Sequence, residues 1–324
     1  RRHTRFRNVT GVQTCALPIS EISHVYIICV PTPFKEEKKP DLKYVFSAVD
    51  AILPYLREGN LVILESTVPP KTTENIFTYL QEKRKDLFKE NNGVHFAHCP
   101  ERVLPGKILK ELVENDRVIG GLTEQAGMMA KELYSSLVSG NIYLTDATTA
   151  EMVKLSENTF RDVNIALANE FAILSEKLGI NVWEVIALAN KHPRVNILNP
   201  GPGVGGHCIA VDPWFIASEF PNDTKVITAS RLLNDSIPSR VVEKIISLVK
   251  NESHPVIVCL GASYKANVGD ERNSPALEIY SLLVKHFGDK AEVRLNDMHV
   301  QNALLKNIPI ENIFNNASII VLLT

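Results

Sequence analysis

The chain has 324 residues, 45% of them hydrophobic and 22% charged, which excludes a single small module and an intrinsically disordered chain and leaves enough apolar content to bury a sizeable core. Its 35 Lys and Arg against 37 Asp and Glu give a formal charge of -2, so there is no global field for nucleic acid or an anionic membrane, and an anionic ligand must meet a local site. No apolar run approaches the ~20 residues that span a bilayer, and five scattered cysteines without CxxC spacing argue against a disulfide framework or a metal site and for a reducing cytoplasm.

Residues 1–20 carry four arginines and no acidic residue. Such a stretch can be a transit peptide or a basic arm, but the abrupt change in composition after it reads as a non-native leader. From residue 25, short β-rich runs at 25–30, 61–65 and 94–97 alternate with helical patterns at 42–56 and after Pro70, the mark of parallel βαβ units. Runs at 117–120 and 142–144 with a helix at 124–137 continue the series. Residues 148–190 then lack both proline and any strand signal and read as helix, broken only at Leu178-Gly179. The α/β alternation restarts at 255–261, followed by a helix at 275–287, a strand at 292–295 and a last apolar run in which the chain stops. The expected division is a leader (1–20), an incomplete sheet domain (21–146), a helical central domain (147–237) and a second incomplete sheet domain (238–324).

Polar motifs cluster at strand ends and in glycine loops. Thr32 of VPTP and Thr67 of ESTVPP follow buried strands, where open α/β folds bind ligands, although either can be a turn threonine. Glu101 and Arg102 of CPERVLPG follow another strand; the glutamate suits a general base or a solvated loop. Glu151, Lys154, Asn158 and Arg161 recur at helical spacing within a stripe about 80° wide, which is either a solvated face or a site. NPGPGVGGHCIAVDPWF, residues 199–215, sets Cys208 behind four glycines and four residues before Asp212; glycine density lets main-chain N–H groups approach a ligand, and the cysteine suits a nucleophile better than core filling. Cys29 and Cys259 are expected inside strand cores, Cys99 stays open, and Cys15 falls in the leader. Lys265 and Arg272, ahead of a helix start, suit a phosphate.

Taken in order, VPTP, STVPP, CPERVLPG, EMVKLSENTFRD, NPGPGVGGHCIAVDP and GASYKANVGDERNSP resemble the nucleotide-sugar 6-dehydrogenases over residues 25–324. The resemblance implies an α/β fold: a Rossmann-like NAD-binding domain, truncated here, then a long-helix dimerisation region and a truncated Rossmann-like UDP-binding domain. It also implies that Cys208 attacks an aldehyde intermediate to form a thiohemiacetal and then a thioester. Lys154 and Asn158 would steady the oxyanion, and Asp212 or Glu101 would handle water. UDP-sugar contacts implied by motif are Arg102, Val103, Lys154, Asn158, Arg161, His192, Arg194, Gly205, Tyr264 and Lys265, with Thr32, Thr67 and Arg272 toward NAD. Arg194 of HPRVN would reach the partner's site in a homodimer. His207 and HPRVN look more like the UDP-acetamido-sugar branch, with UDP-N-acetylmannosamine as substrate, than like the branch for UDP-glucose. UDP-N-acetylglucosamine or UDP-glucose remain alternative substrates, and a catalytically dead UDP-sugar-binding remnant is the alternative of another class. One departure stands out: the family's opening strand and GxGxxG pyrophosphate turn do not precede residue 25.

Overall fold

The computed structural model describes residues 22–35, 38–88, 93–103, 108–300 and 311–324; the arginine-rich leader and Cys15 lie outside them. Five strands, β1 (Val25–Ile28), β2 (Leu61–Leu64), β3 (His95–His98), β4 (Arg117–Gly121) and β5 (Ile142–Asp146), form one sheet in chain order. The run LVIL of β2 is buried at all four positions, as a strand covered on both faces must be. Val62 and Leu64 point into one core with α1 (Lys43–Ile52) and α2 (Thr72–Lys83), while Leu61 and Ile63 point into the other with α4 (Glu124–Ser135). The expected helix at 42–56 is shorter, because Pro54 turns its last residues into a 3-10 segment, Leu53–Tyr55. The sheet is parallel except at one seam: β4, reached through α3 (Ile108–Glu114), runs antiparallel to β3 and pairs at only two positions. Alternation of strands and helices encodes burial and carries no strand direction.

The helical middle consists of α5 (Ala147–Leu178), α6 (Val182–Ala189), α7 (Asp212–Glu219) and α8 (Lys225–Val249). Asp146 starts α5 by accepting from the Thr149 amide at 2.8 Å, and Gly179, at φ 68°, stops it, the usual division of labour between a carboxylate N-cap and a left-handed glycine. A buried polar seam joins α5 to α8. Arg231 pairs with Asp162, Asn234 donates to Asp162 Oδ1 at 2.9 Å, and Asn169 donates to Asn234 Oδ1 at 3.1 Å. The far half of α8 supplies Val242, Ile245 and Val249 to the second core, with Ile257, Ile279 and Leu283. The expected division at 237/238 therefore falls inside α8 at Pro238, where the helix passes from one core to the other.

The second sheet is β7 (Glu292–Asn296), β6 (Val256–Leu260) and β8 (Ile319–Leu322), in that order and all parallel, with α9 (Pro275–Phe287) packed against it.

Candidate active site

The polar stripe on α5 is not a solvated face. Glu151, Lys154 and Asn158 are 1%, 9% and 6% exposed, and only Arg161 reaches solvent. Glu151 is bound to the start of α2. Among the described residues Lys154 has neither a hydrogen bond nor an ion pair, so it is free to meet a ligand. Asn158 Nδ2 donates to Asp212 Oδ2 at 2.6 Å, which joins the central helix to the first residue of α7.

Cys208 sits one turn ahead of that residue. Its carbonyl accepts the amides of Val211 and Asp212 at 3.0 and 2.8 Å, and its thiol is exposed. Protein atoms still crowd the sulfur, so desolvation and the nearby Asp212 raise the thiol's pKa above its ordinary value, whereas Lys154, Arg161 and Arg272 pull it down. Burial pushes the Asp212 carboxyl up to about 6, against the Asn158 hydrogen bond and the Lys154 charge. The arrangement is a thiol flanked by a carboxyl that titrates close to neutrality and by three cations. It can supply a nucleophile, a base and charge stabilisation for an oxyanion or an anionic substrate.

The glycines beside Cys208 have another cause than the one expected from sequence. A Cβ on Gly205 would come within 2.6 Å of Asn273 O and of Pro275 Cδ, and a Cβ on Gly206, at φ +82°, would meet the Tyr264 ring at 3.0 Å. The close approach is between two segments of protein, and it presses the Cys208 loop onto the start of α9. Gly201, Gly203 and Gly206 have the GxGxxG spacing, but no strand precedes them and they carry no dinucleotide turn.

Tyr264 and Arg272 join this group: the Tyr264 hydroxyl is influenced electrostatically by Cys208 and Asp270, and Arg272 acts on Cys208 and His207. Arg272 is held by Asp270 at 2.8 and 2.6 Å, and Lys265, next in sequence to Tyr264, is exposed. On the N-terminal side, Thr32 Oγ1 donates to Thr67 O at 2.7 Å, which ties together the carboxyl ends of the adjacent strands β1 and β2. That pair of threonines fits the edge a dinucleotide uses in such sheets. Glu101 Oε1 accepts from the amides of Arg102 and Val103 at 2.6 and 2.9 Å. Arg102 is committed to Glu157 of α5 at 2.5 Å, so its guanidinium holds the loop against the helix. His192 and Arg194 are exposed on the segment after α6, away from any ion pair among the described residues.

Cys259 is buried as expected and Cys99 is buried too, but Cys29 is exposed and donates to Glu65 Oε2 at 3.1 Å, because it lies just past the end of β1 rather than inside it. Sequence reasoning passed over several residues that shape the site. Asn164 and Asn169 of α5 hold the backbone at Leu198 and Gly201, each at 2.9 Å. Phe34 packs with Leu155, Phe215 and Ile216 beneath the site, and Lys38 lies 4.2 Å over the Trp214 ring and 2.7 Å from Asp235. The available signal was the excess of asparagine in α5, a poor helix former whose amide seeks partners. A shallow hollow of about 470 Å³ at Lys131, Ser135 and Tyr143 shares no residue with this group.

Residues 8–138, 148–236 and 258–324 match, in order, the NAD-binding, central and UDP-binding domains of the UDP-glucose/GDP-mannose dehydrogenase family. The chain belongs to that family. This makes it an oxidoreductase of the nucleotide-sugar dehydrogenases, with NAD as cofactor and a UDP-binding domain at residues 258–324. It is 54% identical over 306 residues to the UDP-N-acetyl-D-mannosamine dehydrogenase of Methanocaldococcus jannaschii, covering 94% of this chain and 69% of the relative. It is 51% identical to the NDP-N-acetyl-D-galactosaminuronic acid dehydrogenase of Ralstonia solanacearum, covering 82% and 64%. The solved structure of the UDP-D-ManNAc dehydrogenase from Pyrococcus horikoshii superposes with a TM-score of 0.86 at 44% identity, over 94% of this chain and 72% of that one. Among the described residues of this family member, no helix is long and apolar enough to cross a membrane.

Proposed function

We propose that the protein oxidises the C6 hydroxyl of UDP-N-acetylmannosamine to the carboxylate, with Cys208 as covalent nucleophile. The observation that carries the reading is the convergence of Cys208, Lys154, Asn158 and Asp212, joined by the 2.6 Å bond between the last two. When bound, NAD supplies the hydride acceptor for both oxidations, and Thr32 and Thr67 would hold it at the sheet edge. The sulfur of Cys208 bonds to the C6 aldehyde carbon, and the thiol proton passes to the aldehyde oxygen, which gives a thiohemiacetal. Lys154 and Asn158 stabilise the oxygen that gains charge. After oxidation to the thioester, Asp212 takes a proton from water, which attacks the carbonyl and releases Cys208 as the leaving thiolate. Glu101, fixed by its own loop amides, is the second candidate for that base. Tyr264, Lys265 and Arg161 offer the ring and the cations that a UDP moiety needs, and Arg272 offers a cation toward NAD.

The acetamido sugar is supported by the relatives named above, which are described for N-acetylated sugars. The test is acid formation and NADH release by the full-length protein with UDP-N-acetylmannosamine, UDP-N-acetylglucosamine and UDP-glucose side by side. A preference for UDP-glucose would overturn the substrate, and full turnover by Cys208→Ala would overturn the nucleophile.

A homodimer is part of the proposal. Phe160, Leu167, Leu174 and Leu178, at spacings of seven, seven and four, form an exposed apolar line on α5, Trp183 and Leu188 of α6 are exposed as well, and that spacing suits a second copy of the same helix. Arg194, exposed just beyond α6, would serve the partner's site. The protein's described cysteines are free, which suits a reducing cytoplasm.

A further inference from the structure

One member of the α5 stripe has no part in this chemistry. Glu151 lies one turn before Lys154 and is almost completely buried. Its Oε2 accepts the Lys71 amide at 2.6 Å; its Oε1 accepts the Thr73 amide at 2.8 Å and the Thr73 hydroxyl at 2.6 Å. The first amides of a helix lack partners within it, and Lys71, at the N-cap of α2 with φ 71°, makes no side-chain cap of its own. The cap of α2 is delivered from another domain, by a residue 80 positions away. Thr148 Oγ1, donating to Glu74 Oε1 at 3.0 Å, adds a second tie between the same two helices.

The other end of the capped segment leads to the cofactor edge. Four residues before Lys71 stands Thr67, whose carbonyl accepts the Thr32 hydroxyl. Thr32, Thr67, the start of α2, Glu151 and Lys154 are thus linked in series. Among the described residues Lys154 makes no hydrogen bond or ion pair, so the rotation of α5 about its axis sets where the ammonium lies. On either side of Lys154 that rotation is fixed by directional bonds, three to the Glu151 carboxylate one turn before it and one from Asn158 to Asp212 one turn after it. Burial pushes the Glu151 carboxyl up to about 7 even against these bonds, so holding it there is costly for a residue that only fills space.

We infer that Glu151 is a positioning residue that docks the Lys154 face of α5 against the Thr32–Thr67 edge, and so sets substrate against cofactor. The inference rests on the dehydrogenase reading above.

The test compares Glu151→Gln, Thr73→Val and the double variant in the full-length protein. Glu151→Gln keeps the side-chain size but turns an amide donor toward an amide donor. Its kcat should fall about ten-fold and its KM for NAD should rise, with KM for the UDP-sugar unchanged. Thr73→Val should shift both in the same direction by less, and the double variant should be no worse than Glu151→Gln alone, because the two residues share one interaction. A readout without NAD accompanies this: amide hydrogen exchange at Lys71 and Thr73 should speed up in Glu151→Gln. Faster exchange with wild-type kcat and KM values would reduce Glu151 to a fold staple and overturn the inference. If Glu151→Gln does not fold, Thr73→Val decides, and wild-type kinetics there overturn it equally. A wild-type protein inactive on every UDP-sugar would overturn the dehydrogenase reading and this role with it, and would be seen before any variant is compared.

Discussion

Asn158 and Asp212 are 54 residues apart and joined by one buried hydrogen bond, Nδ2 to Oδ2 at 2.6 Å. That bond is a direct side-chain tie between the central helix and the first residue of α7, one turn beyond Cys208. It also bears on the protonation of Asp212, because it opposes the burial that leaves this carboxyl raised to about 6.

A base works only when ionised, so kcat/KM of the wild type should fall as pH drops through about 6. Asn158→Ala removes a bond that favours the carboxylate. The acid limb should then move to higher pH, and kcat should fall about 100-fold from the lost oxyanion donor. The pH–rate profiles of the two proteins check this; an unmoved limb would take Asp212 out of the role of base.

Iodoacetamide should separate the four described cysteines. Cys208 is exposed and should label, Cys99 and Cys259 are buried and should resist, and Cys29, although exposed, should label slowly because burial and the Glu65 carboxylate hold its thiol far above the ordinary value. The Cys208 thiol is held above its ordinary value, so its labelling should keep accelerating as pH rises past the usual thiol range. Bound UDP-sugar should protect Cys208 and leave the slow labelling of Cys29 unchanged. Peptide mass spectrometry across a pH series reads both effects.

Two glycines of one loop should behave differently. Gly205→Ala drives a methyl group into Asn273 O and Pro275 and should cost about 1–3 kcal/mol, as overpacking does. Nothing lies within 4 Å of the Cβ position of Gly201, so Gly201→Ala should stay within about 0.5 kcal/mol of wild type. Urea denaturation compares them. Equal effects would mean that the loop does not press on the start of α9.

Arg231 and Lys38 both face Asp235, in contrasting settings. Arg231 is 1% exposed and also pairs with the fully buried Asp162. Arg231→Met leaves that carboxylate unpaired and should cost about 3–5 kcal/mol. The Lys38–Asp235 pair is 46% and 38% exposed, and Lys38→Met should cost less than about 1 kcal/mol. Denaturation midpoints distinguish the two.

The order of strands, the helices α1, α2, α4, α5 and α9, the break at Gly179 and the motifs around Thr32, Glu101, Lys154, Cys208 and Tyr264 were legible in the sequence, because burial periodicity, turn chemistry and motif order are local properties of the chain, whereas α3, α7 and α8 were not read from it. Even so, the sequence left the α5 stripe open between a solvated face and a site. Only the packing of α2, α7 and α8 around α5 resolved it, by burying Glu151, Lys154 and Asn158 and giving the first and last of them partners from segments far away in sequence. The antiparallel seam at β4, the division of α8 between two cores, and the exposure of Cys29 were equally out of reach, since hydrophobic spacing carries neither direction nor the identity of a distant neighbour. The glycines near Cys208 show the same limit. Their number announced a close approach, but Tyr264 and Pro275, which the loop approaches, follow it by more than fifty residues, and only the tertiary fold brings them together.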